Sequence, residues 1–312
     1  MNRRQFVSNA VLAAAAIKLS GLSLLAKSAA PQFSITMDDF FWSNAYHLTA
    51  QQRNEAILGT LKKHNTKAAM FVIGRNIESD EGKQLLSAWN DAGHLIGNHT
   101  YSHRSLNSAD MTAAEYQSDI TKAEVLLKEF PRFRKYFRFP MLKEGDTSSK
   151  RDGVRAFLAS NGYRTGHVTI DTADWAIDPR LIERLKQNPG ADPKPYRDFY
   201  LEHVWDRAQY YDSLARKVLG RNVKHTILTH FNLLNGLFLD DLITMLKSKG
   251  WELIDAEAAF KDPVFDAKPK VLPAGESIVW ALAKANGTIA KSLRYPAEDG
   301  NSEVERMKKL GL

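Results

Sequence analysis

From Gln32 onward, short β-branched or apolar runs alternate with amphipathic stretches, and this alternation narrows the fold more than any other feature of the chain. The runs predict strands over 33–37, 68–73, 94–98, 136–139, 164–170, 225–229 and 251–254. Between them, capping boxes at Thr49-x-x-Gln52 and Thr112-x-x-Glu115 open helices expected to reach about 64 and 130. Further helices are expected over 81–91, 148–160, 196–219 and 239–249, several closed by glycine at 162, 220 and 250. Strand–helix alternation with about seven strands calls for a parallel sheet, either closed into a barrel or open and doubly wound. No G-x-G-x-x-G loop follows the first strand and no phosphate-binding G-x-x-x-x-G-K-S/T loop occurs, so the α/β barrel is preferred. From Lys261 the alternation stops. Pro263, Pro273 and Pro296 punctuate the remainder, with one short helical piece near 276–285. Residues 261–312 therefore read as an extension packed on a barrel of residues 31–260, not as a second domain.

At 312 residues, with 44% hydrophobic and 25% charged side chains, the composition is that of an ordinary globular protein. The formal charge of +7 is weighted toward the N-terminus. Residues 1–30 hold Arg3, Arg4, Lys18 and Lys27 and no acid, which leaves 39 bases against 36 acids in the body. That balance gives no case for a nucleic-acid partner. Cysteine is absent, which excludes disulfides, a thiol nucleophile and thiolate metal ligands, so any metal must be held by His, Asp or Glu. Paired arginines before Phe6-Val7, an Ala/Leu run from 11 to 26 and small residues at Ser28-Ala29-Ala30 read as an export signal of twin-arginine type. The expected partner is then the export machinery, and the expected location the periplasm or beyond the cell.

In a parallel α/β barrel, chemistry sits at the C-terminal ends of the strands. Asp38 and Asp39 fall just after the first expected strand, His99 and His103 after the third, and Arg138 at the end of the fourth. Asp171 and Asp174 follow the fifth, and His230 ends the sixth. Taken singly, each has a bland role: a turn, a helix cap, a surface ion pair, a buried structural histidine. Their gathering on one rim favours a site. The His99-x-x-x-His103 spacing, on one helical turn, would turn both imidazoles to the same face, where they could share a cation with a third ligand from Asp38-Asp39.

Asp38-Asp39, His99-x-x-x-His103, Arg138-Phe139-Pro140, Asp171-Thr172-Ala173-Asp174-Trp175 and Leu228-Thr229-His230 resemble, in order and spacing, the five motifs of the polysaccharide deacetylases, the NodB-homology carbohydrate esterases. The resemblance runs from about Phe33 to Asp255 and implies a distorted barrel of about seven strand–helix units. It implies that Asp39, His99 and His103 hold a divalent cation, zinc first and cobalt or nickel next. Asp38 would be the base, His230 the acid that protonates the departing amine, and Arg138 the partner that orients Asp38 and keeps it ionised. Asp174 would hold His230, Trp175 and Leu228 would wall a pocket for the acetyl methyl, and the Met141 backbone N–H would serve the oxyanion. The implied activity is hydrolysis of N-acetyl, or else O-acetyl, groups on a carbohydrate or polysaccharide. The alternatives are a non-sugar amide, formamide or cyclic imide hydrolase on the same scaffold, and a catalytically silent carbohydrate binder.

The chain departs from the family pattern in three places. Phe40 stands where the first motif usually ends in glycine, and Phe41 and Trp42 follow it. Met141-Leu142 replaces the usual Tyr-Gly, and Phe231-Asn232 follows the last histidine where Asp is often found. Trp42, Tyr46, Trp89 and Trp205 could be sugar platforms or core.

Overall fold

The computed structural model describes residues 30–312. The expected export signal therefore lies almost wholly outside the described residues. The elements follow in order: β1 (Gln32–Asp39), α1 (Ala50–Lys63), β2 (Ala69–Val72), α2 (Asp80–Asp91), β3 (Leu95–Asn98), α3 (Ala113–Leu127) and β4 (Phe133–Phe137). Next come β5 (Lys143–Gly145), α4 (Ser148–Ser160), β6 (Arg164–Thr165), β7 (Ile170–Asp171), α5 (Asp174–Gln187) and α6 (Lys194–Leu219). The chain continues through β8 (Lys224–His230), α7 (Leu233–Ser248), β9 (Glu252–Leu253) and α8 (Ala256–Ala259), and ends with β10 (Ala274–Gly275), α9 (Ile278–Ala285) and α10 (Asn301–Lys309).

Seven parallel strands run in the order β6-β4-β3-β2-β1-β8-β7, and β9 adds to the first two residues of β1. Side chains alternate across a strand, so Ser34, Thr36 and Asp38 of β1 share one face of the sheet. The register sets them beside Thr226, Leu228 and His230 of β8. Arg138 reaches that face and bonds both Thr36 and Asp38, which identifies it as the barrel interior. Phe33, Ile35 and Met37 point the other way, into the apolar layer beneath the helices.

The expected strand over 164–170 splits into β6 and β7, which lie on opposite edges of the curled sheet. Residues 166–169 bridge the seam between those edges. Gly166 fixes the break, since a Cβ there would stand 2.3 Å from the Phe71 ring. Its carbonyl accepts from Arg138 Nε at 2.8 Å, and its N–H donates to the Phe137 carbonyl at 2.7 Å. Gly97 clears the same ring, where a Cβ would lie 2.7 Å away.

Two helices carry no legible start. The N-cap of α5 is Ala173, held at φ 50° with no side-chain cap, and Pro179 inside the helix reads as a breaker. α10 follows Gly300, again with no side-chain cap. α7 begins six residues before the expected 239, because the Asn232 side chain accepts from Asn235 N and Asp178 accepts from Leu234 N.

The segment from 261 onward packs on the barrel at several points. β10 pairs antiparallel with β5, Ile278 N–H donates to the Val168 carbonyl, and Ser277 Oγ donates to the Thr169 carbonyl. Trp280, Ile278 and Val279 join the main apolar core. In α10, buried Glu303 accepts from Arg207 of α6 at 2.7 Å. No described helix is long and apolar enough to cross a membrane.

Candidate functional site

Asp38 and Asp39 are the last two residues of β1, and Asp39 adopts φ 80°. That reversal turns the two neighbouring carboxylates toward one cleft instead of opposite faces. His99 directly follows β3, but residues 99–103 form an irregular loop and not the helical turn that the spacing suggested. Thr100 at φ 63° and His103 at φ 59° make the bend. Thr100 N–H donates to Asn98 Oδ1, and His103 N–H donates to Thr100 Oγ1. The rings still meet, with centroids 5.0 Å apart.

His99 Nδ1 lies 2.8 Å from the Arg138 carbonyl, and as donor there it leaves a lone pair on Nε2. That Nε2 is 3.5 Å from Asp39 Oδ1, and His103 Nε2 is 3.1 Å from the same oxygen. Asp39 Oδ1 is buried and accepts no hydrogen bond. The ligand atoms of Asp39, His99 and His103 all lie within 4.8 Å of one another. A buried, unsatisfied carboxylate oxygen facing two imidazole nitrogens fits a divalent cation, and a His₂–carboxylate donor set suits a borderline ion. Burial alone would raise the Asp39 carboxyl. His103 and His99, with His230 beyond them, outweigh burial and hold it well below the ordinary range.

Asp38 is nearly inaccessible, and its Oδ1 accepts from Arg138 Nη1 at 2.6 Å. Arg138 is wholly enclosed. Its Nη1 also donates to Thr36 Oγ1 at 2.9 Å, and its guanidinium lies 4.0 Å over the Phe71 ring. Burial lowers its pKa, and Asp38 and Asp171 pull it back. Truncating either member of such a desolvated pair strands the other charge.

Across the cleft, Asp174 begins α5 and is fully buried. Its Oδ1 lies 2.6 Å from His230 Nδ1. Its Oδ2 accepts from His230 N at 2.9 Å, Asn235 Nδ2 at 2.7 Å and Asn232 Nδ2 at 3.1 Å. Burial works against a charged His230, yet Asp174, and after it Asp39 and Asp38, push its pKa up to about 10. Every residue that the sequence singled out for chemistry thus meets in one place.

The cleft holds about 370 Å³ and is lined by Asp38, Asp39, His99, His103 and His230 together with Met141, Leu142, Trp175 and Leu228. Leu142 and Leu228 belong to a small apolar cluster with Val168. Met141 is exposed, at φ 54°. Left-handed non-glycine residues gather here: Asp39, Phe40, Thr100, His103, Met141, Leu142 and Ala173 all have positive φ. Strain of this kind costs about 1–3 kcal/mol per residue and concentrates where geometry is held for a purpose.

Sequence reasoning noted Asn232 only as a departure from the family pattern, missed its bond and that of Asn235 to Asp174, and missed part of the wall. Lys143, Tyr295, Ala297 and Glu298 also line the cleft, three of them from the C-terminal segment. Tyr295 donates its hydroxyl to buried Asp171 Oδ2 at 2.8 Å. No periodicity or motif marks these residues. Of the aromatics left open by the sequence, Trp89 is core and donates to Asn54 Oδ1, whereas Trp42 and Tyr46 are exposed and Trp205 packs on Trp251.

A parallel half-barrel whose strand ends carry an Asp–His–His donor set, an arginine-held aspartate and an aspartate-held histidine defines a class of candidate metal-dependent α/β proteins. The sequence pattern described as polysaccharide deacetylase matches residues 27–165. Over that segment, a little under half of its length, the chain is similar to the polysaccharide deacetylase family. It is 32% identical over 120 residues to a peptidoglycan-N-acetylglucosamine deacetylase of Bacillus cereus, covering 38% of this chain and 40% of that protein. It is 28% identical over 209 residues to the peptidoglycan-N-acetylmuramic acid deacetylase PdaA of Bacillus subtilis, covering 62% and 61% respectively. The chain spans less than two thirds of the length of these relatives. It shares its fold with BA3943 of Bacillus anthracis, described as a pseudoenzyme of carbohydrate esterase family 4. That likeness has a TM-score of 0.53 at 21% identity, over 75% of this chain and 66% of that one.

Proposed function

We propose that the protein is a metal-dependent deacetylase that hydrolyses N-acetyl groups on a polysaccharide, with O-acetyl esters as the second substrate class. One observation carries the reading: the Asp39–His99–His103 donor set shares a cleft with Asp38, His230 and a small apolar wall. The names of the relatives, deacetylases of peptidoglycan, support a polymeric amino sugar as substrate.

In this reading Asp39, His99 and His103 hold the cation, zinc first and cobalt or nickel as substitutes. When bound, a divalent cation supplies Lewis-acid polarisation of the acyl oxygen and acidifies a neighbouring water. Asp38, aimed by Arg138, whose Nη1 also donates to Thr36, takes the proton as that water attacks the carbonyl carbon. The Met141 backbone N–H, on the cleft wall, donates to the oxygen that gains charge. His230 gives a proton to the nitrogen as the C–N bond breaks, so that an amine leaves and not an amide anion. Asp174 fixes the ring through Nδ1 and leaves Nε2 for that transfer. Leu228, Leu142 and Trp175 enclose the methyl group.

The test is acetate release from a panel of acetylated oligosaccharides by protein as purified, chelator-stripped and zinc-restored. Release that vanishes on stripping and returns with zinc is the expected outcome. Turnover of small amides or imides, with every sugar inert, would replace the sugar with a non-sugar substrate. Sugar binding without turnover of anything would make the chain a silent relative. The paired arginines and apolar run of residues 1–30 support export to the periplasm or beyond, with the export machinery as partner. Recovery of the full chain in the cytoplasmic fraction alone would overturn export.

A further inference from the structure

Among the described residues, one cation on the cleft wall is already answered by the chain itself. Lys143 Nζ contacts both carboxylate oxygens of Glu298, at 2.8 and 2.6 Å. Both residues line the cleft that holds Asp39, His99 and His103. They come from distant parts of the sequence: Lys143 begins β5, two residues beyond Met141, and Glu298 lies in the C-terminal segment. That segment is anchored where it meets the cleft. Tyr295 donates its hydroxyl to buried Asp171 and accepts from Ser277 N, and a Cβ on Gly300 would stand 3.2 Å from the Trp175 ring. Lys143 is only one-fifth exposed, so Glu298 is its standing counter-ion. Glu276, paired with Lys284 at 3.4 Å, adds a second carboxylate within electrostatic reach of both.

We propose that the Lys143–Glu298 pair is a specificity determinant that turns carboxylate-bearing sugars away from this subsite and admits neutral ones. The inference rests on the reading that the cleft takes a carbohydrate. An incoming carboxylate finds Lys143 occupied and must approach Glu298, a like charge. A neutral sugar finds both a donor and acceptors for its hydroxyls. The selection is imposed by the C-terminal segment, since without Glu298 the same lysine would recruit an anion.

The experiment uses the full chain loaded with zinc, alongside Glu298→Gln, Lys143→Met and the double variant. Equilibrium binding is compared for an N-acetylglucosamine tetramer and for the matched tetrasaccharide whose alternate sugars carry 3-O-lactyl carboxylates. Glu298→Gln should shift the affinity ratio toward the carboxylate ligand by roughly five- to tenfold. High salt should erase the shift, and the double variant should lack it. Lys143→Met alone should move the ratio the opposite way, toward the neutral ligand. An unchanged ratio in Glu298→Gln, with a melting temperature like that of the parent, overturns the proposal. Acetate release followed in parallel separates the two readings. Release without any ratio shift sinks the gate and leaves the deacetylase, whereas a ratio shift without release from any sugar sinks the deacetylase and leaves the gate. Failure of every protein to bind either ligand sinks both.

Discussion

Asp38 and Asp39 are adjacent in the chain and differ in everything that surrounds them. Asp38 is locked to Arg138, while Asp39 faces two imidazoles with a bare oxygen. Substitution should therefore split their effects. Asp38→Asn is expected to lower turnover by about 10²–10⁴-fold with zinc still bound. Asp39→Asn should lose stoichiometric zinc. Metal content measured beside kcat separates the two, and zinc retained in Asp39→Asn would refute the ligand assignment. His230 offers a pH handle. Its pKa is pushed up to about 10, chiefly by Asp174 against the effect of burial. The stability it contributes is present in full below the ordinary value of 6.5 and is lost as pH rises through about 10. In Asp174→Asn that alkaline decline should flatten, and the basic limb of the pH–rate profile should move to lower pH. Denaturation midpoints between pH 7 and 10 and a kcat/KM profile report the two effects.

Two departures from the family pattern turn out to be one feature of packing. Phe40, just after β1, and Phe231, just after β8, are both buried with ring centroids 4.9 Å apart. Arg53 of α1 lies 4.7 Å over Phe231 and donates to the Phe41 and Ser43 carbonyls, which ties the loop after β1 to a helix. Phe40 sits at φ 51°, a conformation that glycine takes without penalty. Even so, Phe40→Gly should destabilise the protein, because an emptied aromatic site costs about 3–5 kcal/mol while relieved strain returns about 1–3. A double-mutant cycle with Phe231→Ala should give a coupling of about 0.5–1.5 kcal/mol, and a coupling near zero would make the two substitutions independent. A second element-level prediction concerns β2 and β3. His94 Nδ1 accepts from Ala68 N at 3.1 Å, so its buried ring must be neutral there. Burial, then Lys67, lowers its pKa to about 4. The unfolded chain binds that proton first, so stability should fall as pH drops from 6.5 toward 4. His203, lowered by burial and Arg207 to about 4, adds to the same acid slope.

At the scale of the whole molecule, the segment beyond 261 is part of both core and site. Trp280, Ile278 and Tyr295 are buried, and each such side chain is worth about 1.5–3 kcal/mol on removal from water. A chain ending at residue 260 should therefore aggregate or melt without cooperativity, and a soluble, cooperatively folding truncation would show the barrel to be autonomous. The barrel, its strand ends and the donor set were legible because they are local. Periodicity, capping boxes and strand-end polar residues are written into consecutive positions, so Asp38, Asp39, His99, His103, Arg138, Asp174 and His230 could all be picked from the sequence. What required tertiary structure was long-range. The 164–170 run reads as one strand, yet Gly166 must fold against Phe71 and its two halves join opposite edges. His99 and His103 look like a helical pair, yet a left-handed Thr100 brings them together. Tyr295 and Glu298 reach the cleft from more than 120 residues beyond Asp171 and Lys143, a distance that no sequence window spans. The sequence determined which atoms could do chemistry, because residue type and strand-end position set donors, charges and ligands. Only the tertiary structure decided which of them face one another and what closes the cleft around them, because those contacts join parts of the chain that share nothing but a place in the fold.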